Sequence, residues 1–172
     1  MRSAQAKITI DRPPEEVYEY LLDISSRTEF APTIFRDFHL TRVESSGIGA
    51  GARYRMHRKL RDRYAGTTIT EGEPGVRLLE EGSTGRGGRV PMAIEYRLDG
   101  DPSGATRLTW TIETYPWNAA DKLRGSGMRR HLRRRMPRAL KRMRGILEGS
   151  PDAAPGERAT VGGLDPSYVP NP

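Results

Sequence analysis

The chain ends in one long, arginine-loaded amphipathic segment, and that segment limits what the rest can fold into. From about Asp121 to Glu148, the residues Met128, Leu132, Met136, Leu140, Met143 and Leu147 recur at steps of four or three, the spacing of one helical face. Arg129, Arg130, Arg133, Arg134, Arg135, Arg138, Lys141, Arg142 and Arg144 occupy the remaining faces. An apolar stripe of that length has to be buried, and the only large partner available is a set of strands upstream. A long helix closed on a curved antiparallel sheet makes a container. The pattern therefore predicts an interior that holds a small, largely apolar molecule. Pro137 removes one helical hydrogen bond, to the carbonyl of Arg133, and predicts a kink there.

The strands announce themselves by alternation. Ala6 to Ile10 reads as a short first strand. Pro13-Pro14-Glu15-Glu16 then opens a helix, since proline suits the first turn and acids there favour the helix dipole. Val17, Leu21 and Ile24 mark its buried face. Ser26 and Glu29 have capping-box spacing and predict a second short helix ending at Ala31-Pro32. Six period-two segments follow: Phe38 to Val43, Ala52 to Leu60, Tyr64 to Glu71, Val76 to Glu81, Met92 to Leu98 and Leu108 to Ile112. Short turns such as Glu73-Pro74-Gly75 join them, and Gly82 to Gly88 reads as a hairpin tip; the arrangement is an antiparallel meander.

Composition narrows the class. With 172 residues the chain is one domain long. Residues 149–172 are rich in proline and glycine and read as a disordered tail, leaving 1–148 as the folded domain. There is no cysteine, which excludes disulfides, thiolate metal sites and a cysteine nucleophile. No apolar run approaches the roughly 20 residues of a membrane-spanning helix, and Met1 to Ile10 lacks a secretory apolar stretch. A cytoplasmic protein is expected. The net charge of +7 raises the question of an anionic partner.

The order strand, two helices, six strands, long helix, together with Gly49-Ala50-Gly51-Ala52-Arg53-Tyr54-Arg55-Met56, the turn Glu73-Pro74-Gly75 and Arg107-Leu108-Thr109-Trp110-Thr111, resembles the START-like superfamily (SRPBCC). Within it the chain is most similar to the polyketide cyclase/dehydrase and lipid-transport group. The resemblance implies an α+β helix-grip fold: a curved antiparallel sheet of about seven strands wrapped on a long C-terminal helix, with two short helices after strand one. It also implies a deep cavity for lipids, polyketides or similar molecules. These motifs are turns and core positions, so they speak for the fold more than for an activity.

Parity assigns the cavity wall. Met92, Ile94 and Tyr96 face inward together, as do Trp110 and Ile112; Tyr54 and Met56 share that surface, with Arg58 next by alternation. With Tyr64, and with Met128, Leu132 and Met136 from the helix, these are the candidate ligand-binding residues. Polar groups for orienting a ligand come from Tyr54, Tyr64, Tyr96, Arg58 and the Trp110 N–H. The competing reading is that the aromatics simply fill a small core, and that Arg58 points to solvent. Glu80 and Glu81 read as solvated strand residues. His39, His57 and His131 lack metal-ligand spacing, so no metal or cofactor is expected. Gly47-x-Gly49-x-x-Ala52 leads into a strand and is no dinucleotide fingerprint. No residue is assigned as catalytic. Three functions stay open: binding of a small hydrophobic or amphipathic molecule, a polyketide cyclase or dehydratase reaction, and adaptation to an anionic surface such as a membrane through the arginine-rich helix. Nucleic acid is disfavoured, because the aromatics lie on inner strand positions instead of among the arginines.

Overall fold

The computed structural model describes residues 2–56, 63–116 and 119–150. In chain order these form β1 (Arg2–Ile10), α1 (Pro14–Leu22), α2 (Ser26–Phe30), β2 (Phe35–Leu40), β3 (Gly51–Met56), β4 (Arg63–Glu73), β5 (Arg77–Thr84), β6 (Val90–Gly100), β7 (Thr106–Thr114) and α3 (Ala119–Leu147). The strands make one antiparallel sheet in the order β1-β7-β6-β5-β4-β3-β2. Each hairpin partner sits beside its sequence neighbour, and β1 closes the far side against β7, pairing Arg2 with Thr114 through to Ile10 with Thr106. This is the expected helix-grip arrangement.

Alternation decides which face is inside. In β6, Val90, Met92, Ile94, Tyr96 and Leu98 are buried while the residues between them are not. Register then aligns Ile94 with Ile112 and Tyr96 with Trp110 on the neighbouring strand. The sheet curls around this face. One cause is Gly82, where β4 comes so close that a Cβ would overlap the carbonyl oxygen of Gly66. Bulges at Ile69/Glu71 and at Arg36/His39 add bend.

The stripe of α3 is buried as its spacing requires. Met128, Leu132, Met136, Ala139, Leu140 and Met143 join the core, with Leu147 packed against it. Arg130, Arg133, Arg134, Arg138, Lys141 and Arg144 are exposed. The helix runs unbroken through Pro137, and both Pro137 and Arg133 are exposed, so water can reach the carbonyl that lost its donor. Arg142 departs from the expected solvated role: its Nε donates to the carbonyl of Glu29, 2.6 Å away, tying α3 to α2.

Three local expectations change. The capping box is not formed. Asp23 instead accepts from the backbone N–H and hydroxyl of Ser25, and Glu29 accepts from Tyr20. β2 begins at Phe35 instead of Phe38, because Phe35 and Phe38 both enter the core across a bulge. Gly82 to Thr84 continue β5, paired to Met92, Pro91 and Val90, so the tip shrinks to a 3-10 turn at Arg86–Gly88. Of the expected tail, 149–172, only Gly149 and Ser150 are described, both hydrogen-bonded back to the end of α3; 151–172 lie outside the described residues.

Leu140 is fully buried at the centre of the stripe. Leu140→Ala is expected to cost about 2–5 kcal/mol, read as a lower denaturant midpoint with an unchanged m-value. A loss under about 0.5 kcal/mol would mean that the stripe does not hold α3 to the sheet.

Candidate functional site

The inner face carries an aromatic stack with a polar seam at its floor. Tyr96 and Trp110 stack at 5.8 Å between ring centroids, 13° apart in plane. Phe30 from α2 meets Trp110 edge-on at 5.6 Å. Tyr54 lies parallel to Phe38 at 5.5 Å and edge-on to Phe35 at 4.8 Å. Quadrupole-matched pairs of this kind add to area burial and fix ring positions.

The seam runs through residues that sequence reasoning missed. Arg27 of α2 and Glu80 of β5 are each 1% exposed and ion-paired. Oε1 of Glu80 accepts from Nη2 of Arg27 at 2.7 Å and from Nε at 3.0 Å. The third guanidinium nitrogen, Nη1, donates to the Ser26 hydroxyl and the Asp23 carbonyl. Oε2 of Glu80 accepts from the Thr67 hydroxyl at 2.8 Å. Because the Thr67 proton is used there, the Tyr54 hydroxyl donates to Thr67, at 3.3 Å. A chain of donors thus leads from Tyr54 through Thr67 to Glu80 and is met from the other side by Arg27. The guanidinium also sits 4.9 Å from the Tyr96 ring centroid.

Two polar atoms do not share in this. The Tyr96 hydroxyl and the Trp110 Nε1 are buried without a hydrogen-bond partner among the described residues. Burial pushes the Tyr96 phenol well up, a rise only partly opposed by Arg27, so it stays protonated and remains a donor. Burial likewise raises Tyr54. A buried donor left unpaired costs about 1–3 kcal/mol. Among the described residues neither donor meets an acceptor.

Between sheet and α3 the expected hollow is largely filled. Among the described residues, a void of about 20 Å³ lies under the N-terminal half of α3, room for about one water molecule. Met56, Thr84, Val90, Ile112, Met128 and Leu132 line it, with Gly125 and Arg129 at the helix. Aromatic rings and the Arg27–Glu80 pair occupy the volume that strand parity alone left unassigned.

The structure gathers most of the predicted wall. Tyr54, Met56, Met92, Ile94, Tyr96, Trp110, Ile112, Met128, Leu132 and Met136 are all buried in one core. Four of them, Met56, Ile112, Met128 and Leu132, touch the void. Tyr64 is a correction: it is 70% exposed, because the buried residues of β4 are Ala65, Thr67 and Ile69, of the opposite parity. Arg58 lies at 57–62, outside the described residues. Glu80 is also a correction, being buried instead of solvated. The signal was present, since Leu78, Glu80 and Thr84 share one parity in β5. Among the described residues no cluster of His, Asp and Glu could hold a metal ion, and no helix is long and apolar enough to cross a membrane.

Comparisons with known proteins agree with this geometry. Residues 1–148 match the family profile described as polyketide cyclase / dehydrase and lipid transport. No curated protein matches the sequence. Among solved structures, TTHA0849 of Thermus thermophilus is similar with a TM-score of 0.67 and 12% identity, covering 87% of this chain and 99% of that one. MLL2253 of Mesorhizobium loti gives 0.60 at 14% identity, covering 87% and 98%. DR_A0006 of Deinococcus radiodurans gives 0.59 at 15%, covering 86% and 98%. At such identities the likeness is one of fold.

Arg27→Met strands the Glu80 carboxylate and is expected to cost about 3–5 kcal/mol. The double variant Arg27→Met/Glu80→Met should recover most of that loss in chemical denaturation. If the double variant were as unstable as the sum of the singles, the pair would not be the coupled unit described here.

Proposed function

We propose that this chain, which belongs to the polyketide cyclase/dehydrase and lipid transport family, binds a small, mostly apolar molecule bearing a hydrogen-bond acceptor. The molecule enters beneath the N-terminal half of α3. The observation that carries this reading is the pair of buried, unpartnered donors on Tyr96 and Trp110. They lie on adjacent strands, directly opposite each other, one inward position deeper than Ile94 and Ile112. Ile112 borders the void. A molecule widening that void toward the floor meets the two donors next, and a carbonyl or ether oxygen satisfies them.

Admission needs movement, because 20 Å³ is far below ligand size. Gly125 and Gly127 weaken the adjoining turn of α3, each costing about 1 kcal/mol relative to alanine in a helix. That turn is the hinge in this reading. The cyclase alternative finds less support. Three of the four lone-pair sites of the Glu80 carboxylate are taken by Arg27 and Thr67, which commits this buried group more to holding the interior than to proton transfer. Binding without reaction fits that engagement better.

A second reading rests on charge. The α3 segment 119–147 holds eleven Lys and Arg against one Asp, whereas the rest of the chain holds eighteen against twenty-one. The helix is thus +10 and the remainder −3. Such a face suits an anionic bilayer, at about 1 kcal/mol per basic residue near the surface.

Tyr96→Phe separates ligand use from structure. The unliganded protein is expected to keep or slightly gain thermal stability, since an unpaired buried hydroxyl is removed. Binding of a neutral ketone-bearing probe such as Nile red should weaken by about fivefold or more. A destabilised apo variant with unchanged probe affinity would refute the reading. For the surface reading, Arg133→Ser/Arg134→Ser/Arg138→Ser should lower binding to phosphatidylserine vesicles by about tenfold or more at low salt. Equal binding by the triple variant would exclude α3 as the contact.

A further inference from the structure

The outer face of the sheet carries a second concavity, separate from the space under α3. It covers about 630 Å³ over β2, β3 and the start of β4, within the range of small-molecule pockets. Three observations there bear on a ligand.

The first is a like-charge pattern. Cross-strand register places Arg36 opposite Arg55, and His39 opposite Arg53. The Arg36–Arg55 pair sets two cations face to face, which weakens a sheet surface. Among the described residues the only carboxylate that lines this groove is Asp37, and it is ion-paired with Arg55. Arg53 is left with no carboxylate partner among the described residues.

The second is backbone geometry. The β2–β3 register shifts between Arg36 and His39, so two residues, Asp37 and Phe38, stand against Tyr54 alone. Asp37 takes φ of 44°, the single non-glycine residue at positive φ among those described. Phe38 is thereby turned into the core, while Asp37 is aimed outward at Arg55. Strain of this kind persists where the surroundings impose it, and it concentrates at binding sites.

The third is an aromatic surface. Tyr64 borders the same groove and is 70% exposed. The Arg55 guanidinium lies 5.9 Å from its ring centroid. Asp37 thus holds Arg55, and Arg55 in turn lies against Tyr64, while Arg53 and His39 keep their donors directed to solvent.

We propose that this groove binds a phosphomonoester carried on a planar ring. The phosphate is held by the guanidinium of Arg53, with the imidazole N–H of His39, its cross-strand neighbour, as a further donor. Arginine presents a planar fork that matches phosphate oxygens two at a time. The ring packs on Tyr64. The site is independent of the space beneath α3.

The test is titration of the full chain, followed by calorimetry and by amide chemical shifts, with adenosine 5′-monophosphate, adenosine and inorganic phosphate as probes. The monophosphate is expected to bind best and to shift amides of β2, β3 and β4. Arg53→Ser should weaken it by about tenfold or more, and Tyr64→Ser should bring its affinity down toward that of inorganic phosphate. Both side chains are exposed, so neither change threatens the fold, and circular dichroism checks this. Arg133→Ser/Arg134→Ser on α3 should leave the affinity unchanged. Shifts confined to α3, or loss of binding in the α3 variant but not in Arg53→Ser, would overturn the proposal, as would no saturation by about 10 mM monophosphate.

Discussion

The Arg27–Glu80 ion pair is the contact on which the interior depends. It is buried on both sides and joins α2 to the middle of the sheet. Removing two charges from water costs several kcal/mol per ion, and the pair is tolerable because almost every donor and acceptor is used. Glu80 takes two bonds from the guanidinium and one from Thr67; the remaining nitrogen of Arg27 binds Ser26 and Asp23. Tyr54 extends the network, and the ring of Tyr96 covers its cation. The aromatic floor is therefore positioned by electrostatics as much as by apolar packing. Against this satisfied network the two unpartnered donors on Tyr96 and Trp110 stand out as the interior's unused capacity.

The interior is unevenly packed along α3. Rings and an ion pair fill the centre, while the remaining space lies under the helix end that contains Gly125 and Gly127. The C-terminal half of α3 is anchored more firmly. Leu140 and Met143 are fully buried there, Arg142 binds the end of α2, and Glu148 accepts from the backbone N–H of Asp11. One end of the helix is fastened three ways, and the void sits at the other.

Much of this was legible in the sequence, for physical reasons. Period-two alternation named the inner residues of β6 and β7 because one face of that sheet is buried. Heptad-like spacing named the buried stripe of α3 for the same reason. Polar residues broke the method. Nothing local distinguishes Glu80 from Glu81, and only the parity shared with Leu78 marks it as inward. Arg27 sits in a five-residue helix too short to show a periodicity. Tyr64 misled because aromatic character was allowed to outweigh its position, one residue out of phase with Ala65 and Thr67. The filling of the hollow could not be read, since parity says which way a side chain points and not how much room remains beyond it.

The bulge in β2 has a consequence for the molecule's behaviour in a crowded solution. β1 is flanked by α3, but β2 ends the sheet with its other side unpaired among the described residues. A flat border strand of that kind invites another chain to add itself by main-chain bonding. Here the border is six residues long, broken by a two-for-one step at Asp37 and Phe38, and lined outward by Arg36, Asp37 and His39. An incoming strand would lose register at the step and have to cover the exposed charges of Arg36 and Asp37 there. The geometry that creates the outer groove thus also works against one copy of the protein growing onto the next.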